Sequence, residues 1–287
     1  MKIGKKEFNW GSRTFVMGVV NVTPDSFSGD GVIGSTATSE RWIDAAVEQA
    51  LRMQDEGADL VDVGGESTRP PSVYRGARPV DAEEECRRVL PVIRALVQRL
   101  DVPVSIDTRK AAVAAAATAA GASLVNDVSM LGDPVMAATV AHLEVPVVIS
   151  HIRPQAVYDD PVKDVASDLQ AAVDRALAAG VSRDAIIVDP GIGFAKTAEH
   201  SLAVMRGLPA IKERLNLPLL VGTSRKSFIG AVLDLPVEER IEGTAATMAF
   251  SVAAGADIIR VHDVKVMART VRMADAIVRG WHPDKPS

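Results

Sequence analysis

Several short apolar segments of this chain stop at polar residues that could act on a ligand. TFVMGVVN stops at Asn21, LVDV contains Asp62 and runs into Gly64, Gly65 and Glu66, and VSID stops at Asp107. LVND stops at Asn126 and Asp127, PVVISH at His151, IIVD at Asp189 and LLVG at Gly222, while IIRVH carries Arg260 and His262. An apolar segment has little structural use for a terminal carboxylate. Any one of these residues could cap a helix or anchor a loop, and Asp127 and Asp263 suit that role because each follows a more inward candidate. So many together point to an active site. Asp107, Asn126 and Asp189 suit a planar heterocycle, whose amino-amidine edge can give a carboxylate two parallel hydrogen bonds. Arg69, Arg260 and His262 offer donors to an anion. Ser224–Arg225–Lys226–Ser227 stands where a helix should open, and free backbone N–H groups, hydroxyls and cations there make an anion site. Taken singly, Arg225 or Lys226 suits solvent equally well.

The apolar segments alternate with helical patterns in eight pairs, beginning near Thr14, Leu60, Val104, Leu124, Pro146, Ile186, Leu219 and Ile258. Their Val and Ile content, apolar on both faces, is what a parallel sheet covered by helices needs. Helices are expected after Ser39, from Asp81 with Glu84 three residues on, over the alanine-rich stretch, and from about Pro134, Val162, Thr197, Pro236 and Val264. Gly57, Gly121, Gly180 and Gly255 stand where helices should end, where glycine relieves a left-handed residue. Eight such units fit a closed (β/α)8 TIM barrel, because closure removes exposed sheet edges; a doubly wound open sheet is the rival. In a parallel barrel all the polar strand ends converge on one face. The short N-terminal extension, Lys2 to Arg13, is expected to form a hairpin closing the bottom. With no long linker, residues 1–287 read as a single domain.

Composition narrows the function. The net charge of −5 comes with no long basic stripe, so nucleic acid binding has little support. No apolar run approaches a membrane span, and the N-terminus lacks the apolar stretch of a secretory signal. A single cysteine, Cys86, permits no internal disulfide and suits a reducing cytoplasm. None of the five histidines has zinc-ligand spacing, and His142, His200 and His282 read as surface or helix-end residues. GxSxG and GxxxxGK[ST] are absent, so neither a serine nucleophile nor a P-loop is expected.

Beyond these patterns, MGVVNVTPDSFS from Met17, DVGGESTRP from Asp62, SIDTRK from Ser105, NDV from Asn126, DPGIGFAK from Asp189, GTSRKSFIG from Gly222 and GTAATMAFSVAAGADIIRVHDV from Gly243 resemble the dihydropteroate synthase family. They span nearly the whole chain in the family's order. The resemblance implies a (β/α)8 barrel, usually dimeric, that joins 4-aminobenzoate to 6-hydroxymethyl-7,8-dihydropterin diphosphate with Mg²⁺, and that is a target of sulfonamides. It implies that Asp107, Asn126, Asp189 and Lys226 hold the pterin, and that Thr68, Arg69, Arg260 and His262 meet the diphosphate. Phe27, Pro70, Ser224 and Arg225 would border the aminobenzoate, and Asn21 would help place Mg²⁺. Asp107, Asp189, Lys226 and Arg260 would carry the catalysis. Three departures stand out: Ser150–His151–Ile152 where the family usually reads Met-His-Met, an extra PSVYR at Pro71–Arg75, and Ala195 in GFAK. The alternatives are a pterin-dependent methyltransferase acting on methyltetrahydrofolate and a non-catalytic pterin-binding protein.

Overall fold

The computed structural model describes residues 1–22, 39–66 and 80–281, the side chains of residues 39–41 excepted. Two short strands, β1 (Lys2–Ile3) and β2 (Lys6–Glu7), form an antiparallel hairpin. Eight parallel strands follow: β3 (Phe15–Asn21), β4 (Leu60–Gly64), β5 (Val104–Asp107), β6 (Leu124–Asp127), β7 (Val147–Ser150), β8 (Ile186–Asp189), β9 (Leu220–Val221) and β10 (Ile258–Val261). Their spatial order is β8-β7-β6-β5-β4-β3-β10-β9, and a parallel bridge between Val188 and Leu219 joins the two ends. The ring is therefore closed, and the open-sheet alternative is excluded. Around it run α1 (Ser39–Asp55), α2 (Ala82–Arg99), α3 (Ala111–Ala119), α4 (Met136–Leu143), α5 (Pro161–Ala178), α6 (Ala198–Arg206), α7 (Leu208–Leu215), α8 (Ser227–Leu233), α9 (Ile241–Ala253) and α10 (Val264–Arg279). This is the (β/α)8 barrel with an N-terminal extension.

Local chemistry sets the element ends. The Asp81 carboxylate accepts from the Glu84 N–H at 2.8 Å and starts α2, as a side-chain acceptor before a helix should. Asp160 and Thr197 do the same for α5 and α6. Gly57, Gly121, Gly180 and Gly255 all have positive φ. One expectation needs correction. The helix expected from Thr197 is two helices, because Gly207 ends α6 and Pro209 sits in the first turn of α7, where its missing N–H costs nothing.

The strands have a strict two-residue alternation. Val16, Val61, Val63, Ile106, Val125, Ile149, Val188, Val221 and Ile259 belong to the apolar layer between barrel and helices. Phe15, Met17, Leu60, Leu124, Val148, Ile187, Leu220 and Ile258 form a separate cluster, the barrel interior. Successive strand residues point to opposite faces, so positions two residues beyond an interior residue also face inward.

The hairpin joins that interior cluster from below. Ile3 and Phe8 are buried in it. The Phe8 ring lies 4.7 Å from that of Phe15, centroid to centroid, and Trp10 meets Phe15 edge-on at 5.6 Å. The backbone tie Phe8 N–H to Met1 carbonyl, 2.8 Å, holds the hairpin closed. Phe8 is thus the floor of the barrel. Phe8→Ala should lower unfolding free energy by about 3–5 kcal/mol, the usual cost of emptying a buried aromatic site. Urea titration checks this, and an unchanged midpoint would mean that the hairpin does not seal the interior.

Candidate functional site

The inward alternation places the polar strand ends in the barrel mouth. Asp62 follows Leu60, Asp107 follows Ser105, Asn126 follows Leu124, Ser150 follows Val148, Asp189 follows Ile187 and Arg260 follows Ile258, each by two residues. They meet around the Arg260 guanidinium. Its Nε donates to Asp62 Oδ2 at 2.7 Å and an Nη donates to Asp107 Oδ2 at 2.6 Å. The same Asp62 oxygen accepts from Asn126 Nδ2 at 2.8 Å. Four strands, β10, β4, β5 and β6, are tied by this one set of bonds.

Burial governs the charges. It pushes the Asp107 carboxyl up to about 7, against the pull of Arg260 and with a further push from Asp62. It also raises Asp189, opposed by Lys226 and the Gly191 N–H. The Lys226 ammonium is pushed down to about 8 by burial, with Asp189 resisting. For Arg260 burial also works against the charge, but Asp62 and Asp107 more than offset it. Asp62 Oδ1, Ser105 Oγ, Asp107 Oδ1, Asn126 Oδ1 and Ser150 Oγ are buried and have no hydrogen-bond partner among the described residues. A buried polar atom left unmade costs about 1–3 kcal/mol, so this wall is built for a ligand rich in N–H groups and lone pairs.

The loop after β8 forms the side of the site. Gly191 has φ 63°, and a Cβ there would lie 1.9 Å from the His151 carbonyl oxygen, so only glycine passes. Lys226 reaches across to donate to the Ile192 carbonyl and lies 4.3 Å from the Phe194 ring centre. Lys196 is held behind the loop: its ammonium donates to the Gly191 and Phe194 carbonyls at 3.0 and 3.2 Å and to His151 Nδ1 at 2.9 Å. The other ring nitrogen, Nε2, lies 3.1 Å from Asp168 on α5. His151 therefore accepts at Nδ1 and donates at Nε2, the neutral tautomer; burial and then Lys196 push its pKa down to about 4. A cavity of about 660 Å³ opens beside this loop, bordered by Phe194, Ile152, Val128 and Arg109.

Asp107, Asn126, Asp189, Lys226 and Arg260 thus share one mouth. Asn21 ends β3 and its backbone pairs with Gly64, which in turn pairs with Asp107. Ser224 Oγ lies 3.0 Å from His262 Nδ1 and accepts from the His262 N–H at 3.2 Å. Arg225 is turned aside: its guanidinium grips Asp263 with two bonds of 2.9 and 2.5 Å. Asp263 is therefore a loop anchor and makes no side-chain cap on α10. Asp127 holds its loop through the Ser129 and Leu131 N–H groups at 2.7 and 2.6 Å. Phe27, Thr68, Arg69, Pro70 and the Pro71–Arg75 segment lie outside the described residues, as does His282. Sequence reasoning named Asp62 among the polar strand ends and Ser150 as a departure from the family without giving either a ligand role, and it missed Ser105; the alternation of inward and outward strand residues turns all three into the barrel. Lys196 closes the DPGIGFAK motif, but nothing in the sequence shows its pairing with His151.

A family model described as pterin binding enzyme matches residues 17–262. A dihydropteroate synthase of Clostridium beijerinckii is 49% identical over 281 residues, covering 97% of this chain and 100% of the relative. Among solved structures, the Clostridium difficile dihydropteroate synthase determined with pteroic acid is 43% identical, covers 95% of this chain and 100% of its own, and has a TM-score of 0.88. The Xanthomonas albilineans dihydropteroate synthase with 4-aminobenzoic acid is 41% identical, covers 93% of each chain, and has a TM-score of 0.85.

The neutral His151 gives a pH signature. Its folded pKa of about 4 lies below the ordinary 6.5, so the unfolded chain takes up a proton first as pH falls. The stability contribution is fully present above 6.5 and is lost on going down to 4, by at most about 3 kcal/mol. Asp168, Lys196 and Arg153 are the charged groups facing it. In His151→Gln this part of the slope should vanish; an unaltered difference in unfolding free energy between pH 7 and pH 4 would refute it.

Proposed function

The chain belongs to the dihydropteroate synthase family of pterin-binding barrel enzymes, and from that premise we propose how its site works. The reaction transfers the 7,8-dihydropterin-6-ylmethyl group from its diphosphate to the amine of 4-aminobenzoate. It releases pyrophosphate and forms 7,8-dihydropteroate, a step of folate biosynthesis. The observation that carries the mechanism is the inner wall around Arg260, where the buried Asp107 and Asp189 stand among polar atoms with unmade hydrogen bonds.

Asp107, Asn126 and Asp189 accept from the N–H groups of the pterin, and Lys226 donates to its lone pairs. As the methylene–oxygen bond breaks, positive charge spreads into the ring. Two buried carboxylates held close to it favour that charge, in a setting where electrostatic contacts are strong. The leaving group takes the electron pair, and His262 with the residues after β9 supplies donors to its oxygens. The neutral aryl amine then forms the C–N bond and gives up its proton. It is nucleophilic as it stands, so orientation in the site replaces a strong base.

Mg²⁺ fits this scheme as a companion of the diphosphate. Among the described residues no cluster of three histidine, cysteine or acidic side chains could hold a metal. Asn21, a hard oxygen ligand at the end of β3, suits a largely hydrated ion shared with substrate oxygens. When bound, the ion neutralises charge on the leaving group. The homodimer we propose rests on a bare apolar strip, with Phe250 of α9 46% exposed and Met273 and Ile277 of α10 62% and 72% exposed. Exposed patches of this kind mark association surfaces. The single cysteine suits residence in the cytoplasm, and no described helix is long and apolar enough to cross a membrane.

Protein supplied with both substrates and Mg²⁺ should release pyrophosphate only when 4-aminobenzoate is present; pyrophosphate release independent of it, or none, rejects the assignment. Asp107→Asn, Asp189→Asn and Lys226→Ala should each lower kcat/KM for the pterin substrate roughly 10- to 100-fold, the worth of one charged hydrogen bond. Chelation should abolish turnover and added Mg²⁺ restore it. Light scattering should give twice the chain mass for the parent and the single-chain mass for Ile277→Asp; a parent that stays monomeric removes the dimer.

A further inference from the structure

Resting on the reading above, we propose that the Ser150 hydroxyl is a direct hydrogen-bonding contact to the pterin ring and a determinant of pterin affinity. Ser150 closes β7, whose neighbours β6 and β8 carry Asn126 and Asp189. Its backbone is in register with Asp189. Val148 lies in the barrel interior and Ile149 in the outer layer, so the Ser150 side chain points into the mouth beside Asp189. It is 0% exposed, and its Oγ has no hydrogen-bond partner among the described residues.

Other buried serines show how a structural hydroxyl behaves. Ser201 Oγ donates to the Thr197 carbonyl at 2.8 Å and Ser251 Oγ to the Thr247 carbonyl at 2.7 Å, each back onto its own helix. Ser150 makes no such bond. Ser105 shares the condition, but it lies two residues below Asp107, towards the closed end of the barrel. Ser150 stands at the level of Asp189 itself.

The chemistry of the wall gives the hydroxyl its task. Of the other unmade atoms, Asp62 Oδ1 and Asn126 Oδ1 can only accept, Asp107 Oδ1 belongs to the carboxyl that holds Arg260, and Ser105 Oγ stands level with Asp62, below Asp107. A pterin presents N–H donors at its amino-amidine edge, with a ring carbonyl directly beside them. Asp189 takes the donors. Lys226 can serve one lone pair of the neighbouring carbonyl, and the hydroxyl on the next strand serves the other. A buried hydroxyl left without a partner costs stability that ligand binding recovers.

The test is Ser150→Ala, with Ser150→Cys as a variant of similar size and weak donor strength. Binding of 6-hydroxymethylpterin is measured by calorimetry, with thermal melting and the KM for 4-aminobenzoate measured alongside. Both variants should bind the pterin about 5- to 10-fold more weakly, leave the aminobenzoate KM unchanged, and melt no lower than the parent. Unchanged pterin affinity overturns the proposal. So does a lowered melting point with equal losses for both substrates, which marks a structural hydroxyl. A parent that fails to bind the pterin at all refutes the functional reading instead, so the two failures are distinguishable.

Discussion

A guanidinium bonded to two buried carboxylates is the constraint on which the mouth of this barrel depends. Arg260 reaches Asp62 and Asp107 at once, and its planar fork of donors holds both in a fixed geometry. A buried ion pair seldom adds much net stability, because desolvation offsets the attraction. What it does here is fix geometry. Asp62 also holds Asn126, so the acceptor wall keeps its spacing, and removing any member strands the others without water. The same burial leaves Asp107 near neutrality, so its charge answers readily to whatever enters.

The two faces of the strands divide the labour. Inward residues meet the ligand. Outward residues hold the loops from behind, as in the chain from Asp168 through His151 and Lys196 to the Gly191 and Phe194 carbonyls. Lys196 and Lys226 approach the same loop from opposite sides, and burial followed by that mutual repulsion pushes Lys196 down to about 7. Phe194 is thus held both from behind, through Lys196, and from the mouth, through Lys226.

Much of this was legible in the residues. The apolar strands, the helix-ending glycines and the acids at strand ends are local signals, and they placed Asp107, Asn126, Asp189, Lys226 and Arg260 in one mouth. Asp62 and Ser150 were harder, because their meaning depends on which face of the strand is inside, and no local pattern states that. Partners far apart in sequence were harder still: nothing near Arg225 announces Asp263, 38 residues on, and nothing near Lys196 announces His151. The break at Gly207 was hidden because glycine and proline at a junction between helices resemble a tolerated interruption within one.

The ring of strands is uneven in strength. Between β3 and β4 five residue pairs lie in register, whereas β8 meets β9 through the lone bridge of Val188 with Leu219. A hoop gives first at its thinnest weld. Asp189 stands on one side of that weld and the segment leading to Lys226 on the other, so a slight parting there would separate an acid from its facing cation before any other pair in the mouth. The pairing of Asp189 with Lys226 therefore spans the join with the fewest paired residues in the ring.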